Sequence, residues 1–339
     1  MPASDQTTRD PGTATALGVD VGGTTIKVGR VRADGTLTDT RTVPTPRDPH
    51  HLADAIAAEV ERSPAPTVGV VTPGITDEQS GIISFAANLG WRDVPMREIL
   101  EQRLGRPVSL GHDVRAGALA ESLWGAGSTD MLFVPLGTGI ASALVLDGAV
   151  RGTGWAGEIG QVLVPDPDEQ LPPSGPTRPS RPVRRAFEQI SSASAIADRY
   201  ARRTGSTDVS GGSAHVLERA AGSEHHPADP IAVEVVRTAV ETLADVLAQA
   251  AGLLGPVPIV LGGGLAHAGE DLLGPLQAGL EERLPAELRP SVRGQRSAPG
   301  PVASAPAGSR STWGAADDPY CHTEPRRGRH LRGAAPEPR

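Results

Sequence analysis

Residues 20–25 read DVGGTT, and this stretch decides how the rest of the chain is understood. It separates two runs rich in β-branched residues, ATALGVDV before it and IKVGRVRADG after it, so the local order is strand, glycine turn, strand. The same arrangement returns at LGTGI (136–140), between MLFVPLG and GIASALVLDGAV, and a third glycine turn, LGGGL (261–265), follows the apolar run VPIV. Glycine lets backbone N–H groups approach an anion with no Cβ in the way, and the Thr hydroxyls of the first two turns add donors. Any one of these turns alone reads as an ordinary tight turn. Three of them point to a nucleoside triphosphate.

Between the turns the chain alternates strand and helix. HLADAIAAEVERS carries Leu52, Ile56 and Val60 at helical spacing, TVGVVTPGI is a short buried strand, and MREILEQRL, PVSLGHD and VRAGALAESLW continue as helix, strand and helix. A helix is expected near 189–203, and IAVEVVRTAVETLADVLAQAAGLL is the longest amphipathic helix. This pattern implies an α/β fold. Residues 1–13 read as a disordered arm, 14–127 and 128–290 as two domains, 166–183 as a Pro-rich loop, and 291–339 as a low-complexity tail.

Composition removes several classes of function. The 339 residues carry a formal net charge of −8, which argues against a nucleic-acid partner. One cysteine, Cys321, permits neither an internal disulfide nor a cysteine-built metal site. No basic start followed by an apolar stretch opens the chain and no run of 18 apolar residues occurs, so a cytoplasmic protein without membrane contact is expected.

The common nucleotide motifs fail one by one. A Walker A loop needs Gly-Lys-Ser/Thr, and the sole lysine, Lys27, sits in TIKV. None of Phe85, Phe133 or Phe187 stands in an Asp-Phe-Gly motif. A dinucleotide fingerprint must lead from strand into helix, whereas GGTTIKVG leads into a second strand.

DVGGTT does match the first phosphate motif of the actin-like ATPases. With GHDVRAGALAE, LGTGI, GEIG and VLGGGL in this order, the chain resembles the ROK family of bacterial glucokinase-like sugar kinases and related repressors, from residue 14 to about 285. The resemblance implies two actin-like, ribonuclease H-like domains around a cleft, and an ATP- and Mg²⁺-dependent transfer of the γ-phosphate to a hydroxyl, expected to be a primary one, of a hexose or hexose-like cyclitol. Only the short arm precedes LGVDVGG, which favours a kinase over a repressor with a DNA-binding domain. Glucokinase proper and a non-catalytic sugar-binding or regulatory protein are the alternatives, and a homodimer is the implied assembly.

Roles follow by the same resemblance. Asp20 would help hold Mg²⁺ through the phosphates, Gly22, Gly23, Thr24 and Thr25 would wrap them, and Gly137, Thr138 and Gly139 would form the second phosphate loop. Gly262, Gly263 and Gly264 would lie against the adenosine, and Asp113 would be the general base. A carboxylate suits that task, because it accepts a proton at hydrogen-bond distance. Read without the family, Asp113 is a helix N-cap. Asn88 in FAANLGW would meet vicinal hydroxyls with both a donor and an acceptor, and Glu158 and Glu188 would hold further hydroxyls.

The chain also departs from the family. His112 replaces the usual Asn before the catalytic Asp, and Gln161 replaces the His of Glu-Ile-Gly-His. The cysteine-rich zinc loop aligns on PSRPVRRAFE, placing Pro179, Arg181 and Ala186 where three thiolates would stand. Neutral Gln and Ala cannot replace imidazole and thiolate, so no zinc site is expected. Both His112 and Gln161 flank the implied sugar pocket, so they are read as a change in substrate recognition.

Overall fold

A computed structural model describes residues 14–169, 183–206, 211–223 and 226–296. The first half runs β1 (Ala14–Val21), β2 (Thr25–Arg32), β3 (Leu37–Pro44), α1 (Pro49–Arg62), β4 (Thr67–Thr72), β5 (Ile75–Asp77), β6 (Ile82–Ala86), β7 (Trp91–Val94), α2 (Met96–Leu104), β8 (Ser109–His112) and α3 (Asp113–Ala120). The second runs β9 (Met131–Pro135), β10 (Ala143–Leu146), β11 (Ala149–Arg151), β12 (Leu163–Pro165), β13 (Arg184–Ala186), α4 (Glu188–Ser191), α5 (Ala193–Thr204), α6 (Gly212–Ala221), α7 (Pro230–Leu254), β14 (Ile259–Gly262), α8 (Glu270–Arg283) and β15 (Val292–Gly294).

Two five-stranded sheets have the same topology. Their orders are β3-β2-β1-β4-β8 and β11-β10-β9-β14-β15, each with a central strand antiparallel to the hairpin on one side and parallel to the crossover strands on the other. The repeated strand, glycine turn, strand text is thus a duplicated domain plan. β1 is central and buried on both faces, with Leu17, Val19 and Val21 on one and Ala16 and Gly18 on the other.

Helix ends are written plainly in the text. Asp48 caps α1 by accepting from the N–H groups of His50 and His51, with Pro49 behind it. Asp229 and Pro230 do the same for the 25-residue α7. One core joins Leu17, Val28, Leu52, Ile56, Val70 and Leu100; the other joins Leu136, Phe187, Val235, Leu247, Ile259 and Leu276.

Two expectations change. The helix expected over 189–203 is two, α4 and α5, because Ser192 adopts an extended conformation and its hydroxyl caps the Ala195 N–H. Order does not end at Ser291: β15 pairs in parallel with β14, so the second sheet continues beyond the expected start of the tail. The Pro-rich segment is flanked by a two-stranded ladder, β12 with β13; residues 170–182 between them, the arm 1–13 and the tail from 297 lie outside the described residues.

In the first sheet, parallel registers place Asp20 opposite Val71 and Thr72 opposite His112. The carboxyl ends of β1, β4 and β8 therefore reach one edge, where open α/β sheets hold their ligands.

Candidate active site

At that edge lies a cleft of about 600 Å³, walled by both halves of the chain. The first half contributes Asn88, His112 and Asp113; the second contributes Gly137, Gly139, Glu158, Gln161, Glu188 and Gly263. Residues as far apart in sequence as Pro73 and Gly263 meet here. Thr138 faces a neighbouring polar cavity that shares Asn88, Gly139 and Glu188 with the first. Of the first turn, Gly23 lies against Asn88, and the Gly22 N–H donates to the Thr25 carbonyl, closing the turn between β1 and β2.

Asp113 is the first residue of α3 and not its N-cap, a position held by His112. Its Oδ1 accepts from the Val114 N–H at 2.8 Å, so the side chain still serves the helix end. Burial pushes its carboxyl up to about 6; the Val114 N–H opposes this, the Asp20 charge adds to it, Arg115 opposes it and Glu158 adds to it. A carboxyl poised just below neutrality results. Asp20 is also raised by burial, against the pull of Lys27 across the β1–β2 ladder. Asp20 at the end of β1 and Asp113 just beyond β8, with β4 between them, put two acidic groups on one edge of the sheet near a glycine turn, which fits a hard cation with its phosphates.

His112 is 6% exposed, and its Nδ1 has no hydrogen-bond partner. That nitrogen stands 3.4 Å from Asp113 Oδ1. Burial, then the Arg115 charge, lowers the imidazole to about 3, which keeps it neutral and able to donate or accept.

On the opposite wall, Gln161 Nε2 donates to Glu188 Oε1 at 2.8 Å, and the Ile140 N–H donates to Oε2 at 3.3 Å. Gly139 must be glycine for this: a Cβ there would sit 2.6 Å from Glu188 Oε2. Gly263 holds φ at +78°, a conformation that leads β14 into the cleft wall. Gly262 is one of the residues expected against the adenosine. It is buried in β14, with Phe133 and Gln295 filling the space beside it and its carbonyl taken by the Leu136 N–H.

Comparison with known proteins decides the lineage. The ROK family profile matches residues 16–315. This chain belongs to the ROK family. It is 32% identical to a glucokinase of Thermotoga maritima over 77% of this chain and 85% of that one. It is 30% identical to an N-acetylmannosamine kinase of Escherichia coli, over 69% and 79%. A ROK family glucokinase from Streptomyces griseus, solved with glucose and AMPPNP, superposes with a TM-score of 0.65 at 30% identity, over 84% of this chain and 95% of that one. The fold is therefore the actin-like one of the ROK glucokinases.

This ROK protein does not fit the family's zinc. Gln161 is bound to Glu188, Ala186 offers no donor, and Pro179 and Arg181 lie outside the described residues. The segment carrying Glu188 is fixed otherwise. The Phe187 N–H donates to the Val162 carbonyl, Arg185 pairs with Asp166, and buried Arg199 grips Asp168 at 2.7 Å and the Ile190 carbonyl at 3.1 Å.

Sequence reasoning missed the charged group under the cleft. Arg115, 2% exposed, bonds Glu78 at 2.5 Å and the Thr76 carbonyl at 2.7 Å in the first half, and the Ala156 carbonyl at 3.2 Å in the second. Thr153 adds a bond to the other Glu78 oxygen at 3.1 Å. A lone Arg in the otherwise small and apolar text VRAGALA was the available signal.

Proposed function

We propose that this ROK protein is an ATP-dependent sugar kinase that phosphorylates a hydroxyl of a hexose or a hexose-like cyclitol. The observation that carries this is Asp113: a carboxyl held at about 6, at the head of a helix, lining with Glu158 and Glu188 a cleft that Gly137, Gly139 and Gly263 also line. Asp113 takes the proton of the acceptor hydroxyl as its oxygen bonds to the γ-phosphorus. The bond from that phosphorus to the bridging oxygen breaks, and ADP leaves. Asp20 would help hold Mg²⁺ through the phosphates, and the ion would supply neutralisation of phosphate charge. Gly22 to Thr24 and Gly137 to Gly139 position the phosphate chain with backbone donors.

Asn88, His112, Glu158 and Glu188 orient the acceptor. Burial and then the Glu188 charge raise the Glu158 carboxyl, so the pair favours an acceptor whose hydroxyls donate to both. His112 presents an unpartnered nitrogen where the family has an amide, and this alters the pattern of hydroxyls accepted. A coupled ADP-release assay across glucose, mannose, N-acetylated hexosamines and C7 cyclitols tests the reading. ADP release that depends on at least one of them is expected; none with any would overturn it.

Gln161 stands where the resemblance puts a histidine that bridges substrate and zinc, and here it tethers Glu188. Gln161→Ala is expected to raise the acceptor KM about 10- to 100-fold, the worth of a hydrogen bond to a charged group, with a smaller change in kcat. A zinc-specific chelator is expected to leave wild-type turnover unchanged. Zinc-dependent turnover would refute this account.

A further inference from the structure

The chain is poor in aromatic residues, with four Trp, two Tyr and three Phe. Seven of these lie in the described residues, and only two are exposed: Trp155 at 67% and Phe85 at 37%. Both line the acceptor cleft. They are also drawn to the same place. Phe85 pairs with Ile75 across the β5–β6 ladder, and the Gly154 N–H, next to Trp155, donates to the carbonyl of Thr76, next to Ile75.

The loop that presents Trp155 is rigid. Arg115 holds the carbonyls on either side of it, Gly154 at 3.4 Å and Ala156 at 3.2 Å, and the Trp155 carbonyl accepts from the Glu158 N–H. One face of Phe85 is covered by the Arg92 guanidinium, 5.1 Å from the ring centroid. A rigid backbone that projects a large indole into solvent at a cleft wall is a preformed binding surface. The carboxylates and amides that suit ring hydroxyls sit elsewhere in the cleft, on Glu158, Glu188 and Asn88.

We infer that Trp155, Ile75 and Phe85 form a second acceptor subsite, for a ring joined to the one that is phosphorylated. The acceptor class is then a disaccharide or a ring-bearing glycoside. A pyranose or aromatic ring offers an apolar face of C–H groups or π electrons, which an indole face attracts. This rests on the kinase reading above.

The test compares acceptors of one ring with the corresponding phenyl glycosides and disaccharides, using wild type, Trp155→Ala and Trp155→Phe. At 67% exposure the substitution removes little packing. Trp155→Ala is expected to lower kcat/KM for two-ring acceptors about tenfold and leave one-ring acceptors unchanged, with Trp155→Phe recovering part of the loss. In parallel, phenyl glycosides should change the tryptophan fluorescence of wild type and not of Trp155→Ala, whether or not they are turned over. Equal effects of Trp155→Ala on both acceptor classes, or no fluorescence difference between the two proteins, would overturn the subsite. If one-ring acceptors alone are phosphorylated, the subsite falls and the kinase reading stands; if fluorescence reports binding but no ADP forms with any acceptor, the kinase reading falls and the subsite stands.

Discussion

Asp113→Asn is expected to lower kcat by about 10²- to 10⁴-fold, the range for removing a general base, while acceptor binding persists. Asn keeps the size of the side chain and can still accept from the Val114 N–H, so α3 and the cleft wall survive the change. The wild-type pH profile carries the sign of the effect. A base must be unprotonated, so kcat/KM should climb as pH rises through about 6 and level off above it. In Asp113→Asn the residual activity should lose that limb. Stability moves the opposite way. The folded carboxyl keeps its proton up to about 6, where the ordinary value is 3.8, so its contribution is full below the lower value and lost as pH rises through the upper one. Thermal melts should therefore show Asp113→Asn stabilised relative to wild type at pH 8 and not at pH 3.5. A variant that keeps wild-type kcat would remove Asp113 from the chemistry.

Arg115→Met is the second large effect, and it falls on the fold. The substitution leaves the Glu78 carboxylate, whose side chain is 6% exposed, buried without its cation, together with the carbonyls of Thr76 and Ala156. Breaking a buried pair from one side costs about 3–5 kcal/mol, above the ordinary range for single substitutions. Adding Glu78→Gln should return a substantial part of that loss, because the stranded charge is gone. Urea unfolding of the two single variants and the double variant measures this. A loss below about 1 kcal/mol for Arg115→Met would show that the pair contributes little.

The contrast between these two residues explains what the sequence could and could not disclose. Asp113 was legible because its neighbours form a contiguous motif, GHDVRAGALAE, and because glycine turns announce themselves locally. Arg115 sits in the same motif, yet its partners Glu78 and Ala156 lie 37 and 41 residues away, and long-range pairing leaves no local trace. Trp155 was passed over for a related reason: an apolar residue in a strand-and-helix text reads as core until burial is known. The duplicated sheet was legible from the repeated turn, whereas β12, β13 and β15 are three residues each and carry no periodicity to read. The break at Ser192 depends on one hydroxyl choosing the Ala195 N–H, a decision that helical spacing does not encode.

The registers of β1, β4 and β8 set Asp20, His112 and the neighbouring Asp113 on a fixed frame. Asp20 on central β1 and His112 on edge strand β8 are placed by the hydrogen-bonded ladders of one sheet, where a slip of one residue would turn every side chain of the strand to the other face. Asn88, Trp155 and Gln161 stand on connections outside that sheet. Substitution or drift in those connections can change the acceptor without disturbing the chemistry, and a lineage carrying this fold can acquire new sugars at little risk to phosphoryl transfer. His112 and Gln161 illustrate both regimes: the first stands at the end of a strand of that sheet, and the second in a segment whose neighbouring ion pairs, Asp166–Arg185 and Asp168–Arg199, lie outside it.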